Sequence, residues 1–176
     1  MHNSAFRYND ENDRSLGLAG SAIAIVVWNG EDKLTAISID SNPGEGIEMT
    51  PDFGFSGNPR LSARLAWQLM LKQLELTSAM VMGNVMCRSY VGAGRPLSSS
   101  SRSTLRALIR DEAVNACSLD DDETEVLFNR LLDYQNQLFS HPEVAAMARN
   151  LAADIRSQRR LSVTEILDRL DRLGRL

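Results

Sequence analysis

Apolar residues arrive in blocks along this chain, and their spacing changes from block to block. The first block, LGLAGSAIAIVVW from Leu16 to Trp28, is continuous and holds no charged residue. Its second half, SAIAIVVW from Ser21, is rich in β-branched side chains, and Asn29-Gly30 follows directly. Both residues of that pair tolerate positive φ, so the pattern predicts a hairpin from Ser21–Trp28 into KLTAISID, Lys33 to Asp40. GIEMT, Gly46 to Thr50, predicts a third short strand. An unbroken apolar strand needs cover on both faces, which a helix can give.

The segment 41–59 is dense in Gly and Pro and reads as turns, with Phe53 and Phe55 as aromatic pegs that pin a long loop to the core. Residues 60–91 then predict one long helix, or two with a break at Gly83-Asn84. Arg64, Gln68, Lys72 and Glu75 form a polar stripe at helical spacing, and Leu61, Leu65, Leu69, Leu74 and Leu76 fill much of the rest. Beyond Thr77 the residues AMVMGNVMC leave no wet face, so this part of the helix must be enclosed by other elements.

Four shorter helices are predicted after the connector GAGRPLSSSSRSTLR, Gly92 to Arg106. The first covers about 102–117, capped by Ser100, Ser101 or Ser103. The second opens at DDDETE, with Asp120 as N-cap and Glu123 as its partner. The third starts at SHPE with Pro142 in its first turn, and the fourth at SVTE, where Ser162 and Glu165 are spaced for a capping box. The fold class that follows is α+β. An N-terminal antiparallel β-hairpin or meander (about 20–50) packs on the long central helix, and a C-terminal helical bundle completes a helical part of about 60–174. Residues 1–15 are polar and read as a flexible terminus, leaving 16–176 as one domain.

Charge narrows the function classes. The 176 residues carry a net charge of −4, which argues against general affinity for nucleic acid or anionic membrane. Leu16–Trp28 is too short to span a bilayer, and the acidic NDENDRS before it is unlike a signal peptide, so no targeting segment is expected. Cys87 and Cys117 lie far apart with no CxxC pattern, which suits a reduced, cytoplasmic protein. With His2 and His141 the only histidines, no metal site and no cofactor is expected.

The connector is the segment that most resembles a site. It lacks the GxxxxGK[ST] of a phosphate loop and the xxG that would complete a dinucleotide fingerprint, so a flexible link ending in a helix cap is the simpler reading. Free N–H groups at a helix start still attract anions, and Arg88, Arg95, Ser101, Arg102 and Arg106 could supply donors, with Tyr90 and Phe55 as walls. Arg102, Arg106 and Arg110 share one helix face, which pairs equally well with the DDDETE carboxylates. Cys87 beside Arg88 reads as a buried, inert thiol, because consecutive helical residues point about 100° apart. The acidic cluster lacks the spacing of a calcium loop and suits a helix N-terminus.

No catalytic constellation or GxSxG elbow is present, so the reading leans away from an enzyme. Val163, Ile166, Leu170 and Leu173 form a narrow apolar seam between charged flanks, as partner helices use. The leading expectation is therefore an intracellular, non-enzymatic interaction or assembly module that binds a protein partner or itself as a homo-oligomer. The alternative is an enzyme or binding protein for a phosphorylated or carboxylated small molecule, with its site between the 51–59 loop and the 92–102 connector.

Overall fold

The computed structural model describes residues 7–54, 62–171 and 173. Its elements run α1 (Glu11–Val27), β1 (Leu34–Ser38), β2 (Ile47–Met49), α2 (Ala63–Cys87), α3 (Ser99–Cys117), α4 (Asp121–Ser140), α5 (Pro142–Gln158), β3 (Arg160–Ser162) and α6 (Val163–Leu170). The fold is α+β, dominated by helices, with one small antiparallel sheet.

The first apolar block is a helix, not a strand. Asp10 caps α1 by accepting a hydrogen bond from the Asp13 N–H, so the helix starts inside the stretch expected to fray. Every residue from Ser15 to Ile25 is buried, which explains the missing polar period. The expected Asn29-Gly30 hairpin turn is instead the helix stop. Asn29 takes a φ of 53°, its N–H bonds to the Val26 carbonyl, and the Gly30 N–H reaches the Ile25 carbonyl. This paired closure ends a helix with a left-handed residue, and Asn provides it as readily as it would a tight hairpin turn.

β1 and β2 form the N-terminal hairpin, one segment later than the pattern suggested. They pair antiparallel with Ile37 opposite Ile47, and an irregularity falls between Leu34 and Ala36. The third strand comes from the far end of the chain. Arg160–Ser162 pairs with the other edge of β1, placing Leu161 opposite Ile37, both fully buried. The strand order is β2-β1-β3.

Residues 63–87 form one unbroken helix, with no break at Gly83-Asn84. Ser62 caps it, and a π turn over Arg88–Gly92 closes it. Contacts between Gly17 and Asn84, Gly20 and Gly83, and Gly30 and Leu76 give α1 and α2 an antiparallel register. Met82 and Met86 of α2 are fully buried, while Met80 and Val85 are partly so. The enclosed element is therefore α1 together with the second half of α2. The first half of α2 runs past the end of α1 and stays largely exposed. α5 packs on α1, α4 on α2, and α3 on both α2 and α4.

Three of the four later helices, α4, α5 and α6, begin where their caps predict. Asp120–Glu123 and Ser162–Glu165 are both complete capping boxes, and Pro142 opens α5. The N-cap of α3 is Ser98, two residues before the earliest serine expected, so α3 starts at Ser99.

Candidate functional site

Two surface features could engage a ligand, and each is built by α2. At its C-terminal end, the π turn and the left-handed Gly94 (φ 63°) swing the chain away from the helix. Ser89 holds the turn: its Oγ donates to the Arg95 carbonyl at 2.8 Å, and its own carbonyl accepts the Arg95 N–H. Ser98 Oγ then accepts the Ser101 N–H at 3.1 Å and starts α3. A cavity of about 400 Å³ lies beside this link, lined among others by Asp13, Arg88, Arg95, Ser98 and Ser101.

The charge of that cavity is largely compensated. Arg88 grips Asp13 with two parallel bonds, Nε to Oδ1 at 2.6 Å and Nη2 to Oδ2 at 2.8 Å, and its guanidinium lies 4.8 Å from the Tyr8 ring centroid. Burial alone would raise the Asp13 carboxyl. The Arg88 hydrogen bond, the Asn9 N–H and the Arg88 charge outweigh it and hold that carboxyl below its usual range. Arg95 is exposed, and among the described residues no carboxylate pairs with it. The cavity thus offers one uncompensated guanidinium and several hydroxyls, one of which is already used as a helix cap.

The other expected anion residues are elsewhere. Tyr90 donates to Asn136 Oδ1 at 3.0 Å, and Arg102 is exposed outside the cavity lining. Arg106 lies 4.9 Å from the Phe128 ring centroid and 3.1 Å from Glu125, and Arg110 pairs with Asp121 at 2.7 Å. Two of the three arginines on the α3 face, Arg106 and Arg110, are therefore paired with carboxylates of the first turns of α4. Phe55 lies outside the described residues.

Cys87 is fully buried, and desolvation pushes its thiol up to about 12, the opposite of what a nucleophile needs. Among the described residues no three His, Cys, Asp or Glu side chains converge as a metal site. Among the same residues no helix is long and apolar enough to cross a membrane.

Compared with known proteins, the chain matches no protein family, no curated protein and no solved structure.

The C-terminal seam faces inward. Ile166 and Leu170 are 0% and 2% exposed, and Val163 and Leu173 pack partly buried against the same core. Around them, Arg156 donates to Asn12 and Ser15, Arg159 pairs with Glu11 and Asp40, and Arg160 pairs with Glu48. These arginines tie the C-terminal segment to α1 and the sheet. Ile166 and Leu170 of the seam are thereby taken up within the chain.

The second feature is the projecting start of α2, which sequence reasoning did not single out. At 100° per residue, Leu65, Leu69, Leu76 and Gly83 fall on one stripe of the helix. On this stripe Gly83 meets Gly20 of α1, and Leu76 meets Gly30, just past the end of that helix. Leu65 and Leu69 continue it beyond the end of α1 and are 44% and 40% exposed. Opposite them, Trp67 fixes the projection to the body by donating its Nε1–H to the Cys117 carbonyl at 3.2 Å. The signal was present in the leucine spacing, but only the position where α1 stops shows which leucines lack cover.

Proposed function

We propose that the protein is a non-enzymatic interaction module of the cytoplasm, which docks a partner protein on the first three turns of α2. The observation that carries this reading is the exposure of Leu65 and Leu69 on the stripe that α1 covers further along. An apolar stripe that outruns its internal partner is suited to receive another helix in the same packing geometry. The reducing compartment is supported by the two cysteines, which are both free and buried. The experiment is photo-crosslinking in cells with a reactive side chain at position 69, beside a control at the exposed Gln137. A second polypeptide captured from position 69 and not from 137 is the expected result. Equal capture at both positions overturns the reading.

A second reading, a binding protein or enzyme for a phosphorylated or carboxylated small molecule, is favoured by one observation. Arg88, Arg95 and Ser101 line a single cavity. A thermal-shift titration with inorganic phosphate and simple carboxylates tests it, since ligand at 100 times its dissociation constant adds about 2.7 kcal/mol. A rise that Arg95→Ala abolishes supports the reading. No rise at high concentration removes it.

A further inference from the structure

We infer that the occupant of the α2 projection is an acidic amphipathic helix of a partner protein, an inference that rests on the docking reading above. The basis is the charge beside the leucine pair. From Ala63 to Leu74 the helix carries Arg64 and Lys72 and no carboxylate. Arg64, Gln68 and Lys72 are spaced four apart, so they form one row along a single edge of the Leu65–Leu69 stripe. Among the described residues neither Arg64 nor Lys72 has an ion-pair partner, whereas seven of the thirteen other described arginines do. The first carboxylate on α2, Glu75, is taken by Arg130.

The two features specify a partner together. Leucine or a similar residue at i and i+4 would fill the gap beside Leu65 and Leu69. A row of Asp or Glu on the adjoining edge would meet Arg64 and Lys72, with the Gln68 amide between them. A second copy of this chain fits poorly. Antiparallel contact of two projections sets Arg64 of one beside Lys72 of the other, with no acid on either segment to separate them.

The test is a selection of helical peptides from a randomised display library on the full chain, followed by titration on two double variants. In Leu65→Asp/Leu69→Asp the apolar pair is removed, and in Arg64→Glu/Lys72→Glu the charge row is reversed. The expected winners carry apolar residues at i and i+4 beside a row of Asp or Glu, and weaken as salt rises. They lose at least about tenfold in affinity on each variant, the change that about 1.4 kcal/mol produces. Winners that need Leu65 and Leu69 but show no acidic bias, or ignore the charge reversal, overturn this inference and leave the docking reading standing. Winners indifferent to Leu65→Asp/Leu69→Asp sink both. Sedimentation of the free chain is the remaining arm: a dimer abolished by Leu65→Asp/Leu69→Asp assigns the face to a second copy and also overturns the inference. Unchanged melting of both variants keeps each outcome readable.

Discussion

Gly20 and Gly83 face each other where α1 crosses α2. A Cβ on Gly20 would stand 2.3 Å from the Gly83 carbonyl oxygen, and one on Gly83 would stand 2.6 Å from the Gly20 carbonyl oxygen. Both clashes are with backbone, so rotating a side chain cannot relieve them. Alanine gains about 1 kcal/mol over glycine in a helix interior, but overpacking a close contact costs about 1–3 kcal/mol and more when backbone must move. The clash wins. Gly83→Ala is expected to lower stability by about 2 kcal/mol in urea unfolding. Gly54→Ala, which meets nothing within 4 Å, is the control and should change little.

That crossing also explains which parts of the fold were legible. Helices with one wet face announced themselves: α4 and α5 show their apolar stripes and their caps in the sequence, and both begin as predicted. α1 has no wet face, because α2 and α5 enclose it, so its apolar run carries no period to distinguish helix from strand. β-branched residues and Asn29-Gly30 then tipped the reading toward a hairpin, although Asp10 and Asp13 already marked a helix start. β3 is only three residues, and its place beside β1 is set by pairing between Ile37 and Leu161, which no local pattern encodes. A cavity lies at the connector beside Arg88, Arg95 and Ser101, but Arg102, Arg106, Tyr90 and residues 51–54 are not in its lining. The α2 projection was not anticipated, because exposure of Leu65 and Leu69 depends on the length of a different helix.

The Asp13–Arg88 pair predicts an acid response. Both side chains are about one-sixth exposed, at 15% and 16%. Because the folded-state pKa of Asp13 is depressed, the pair's contribution is complete above the ordinary value of 3.8 and is lost as pH falls through the lower folded value. Arg88→Ala leaves a mostly buried carboxylate without its ion-pair partner and is expected to cost about 2 kcal/mol near neutral pH, less than a fully buried pair would. The gap between the two proteins should narrow below pH 3.8 as Asp13 takes up its proton. Urea midpoints across the acid range measure this, and a constant gap would contradict the assignment.

Cys87 and Tyr8 predict the alkaline limb. Desolvation raises both, the thiol to about 12 from 9.0, so the folded state keeps protons that the unfolded chain releases. A raised folded pKa gives stability that is present below the unfolded value and lost as pH climbs toward the folded one. Stability should fall by about 1.4 kcal/mol per pH unit between those values for the thiol alone. Cys87→Ala should flatten that limb and leave the part due to Tyr8. A thiol reagent should modify Cys87 only at the rate of unfolding, and fast labelling of the native protein at neutral pH would refute its burial.

The α2 projection makes the last prediction, because it separates a binding surface from a folding surface on one helix. Leu65 and Leu69 are 44% and 40% exposed, whereas Leu74, three turns from the helix start, is 3% exposed. An exposed Leu→Asp change loses mainly helix propensity, about 0.5 kcal/mol each. The same change at Leu74 forces an unpaired carboxylate into apolar surroundings, worth about 4 kcal/mol or more and enough to unfold a marginal domain. Leu65→Asp/Leu69→Asp is therefore expected to fold and melt almost as the parent does, while Leu74→Asp does not accumulate as folded protein. Trp67→Phe removes the bond to the Cys117 carbonyl and should cost about 1 kcal/mol. Hydrogen exchange then reads the consequence directly. Amides of Arg64–Lys72 should exchange faster in Trp67→Phe than in the parent, with those of Met82–Cys87 unchanged. If both segments speed up together, α2 opens as one unit, and its first turns are part of the core instead of a platform projecting from it.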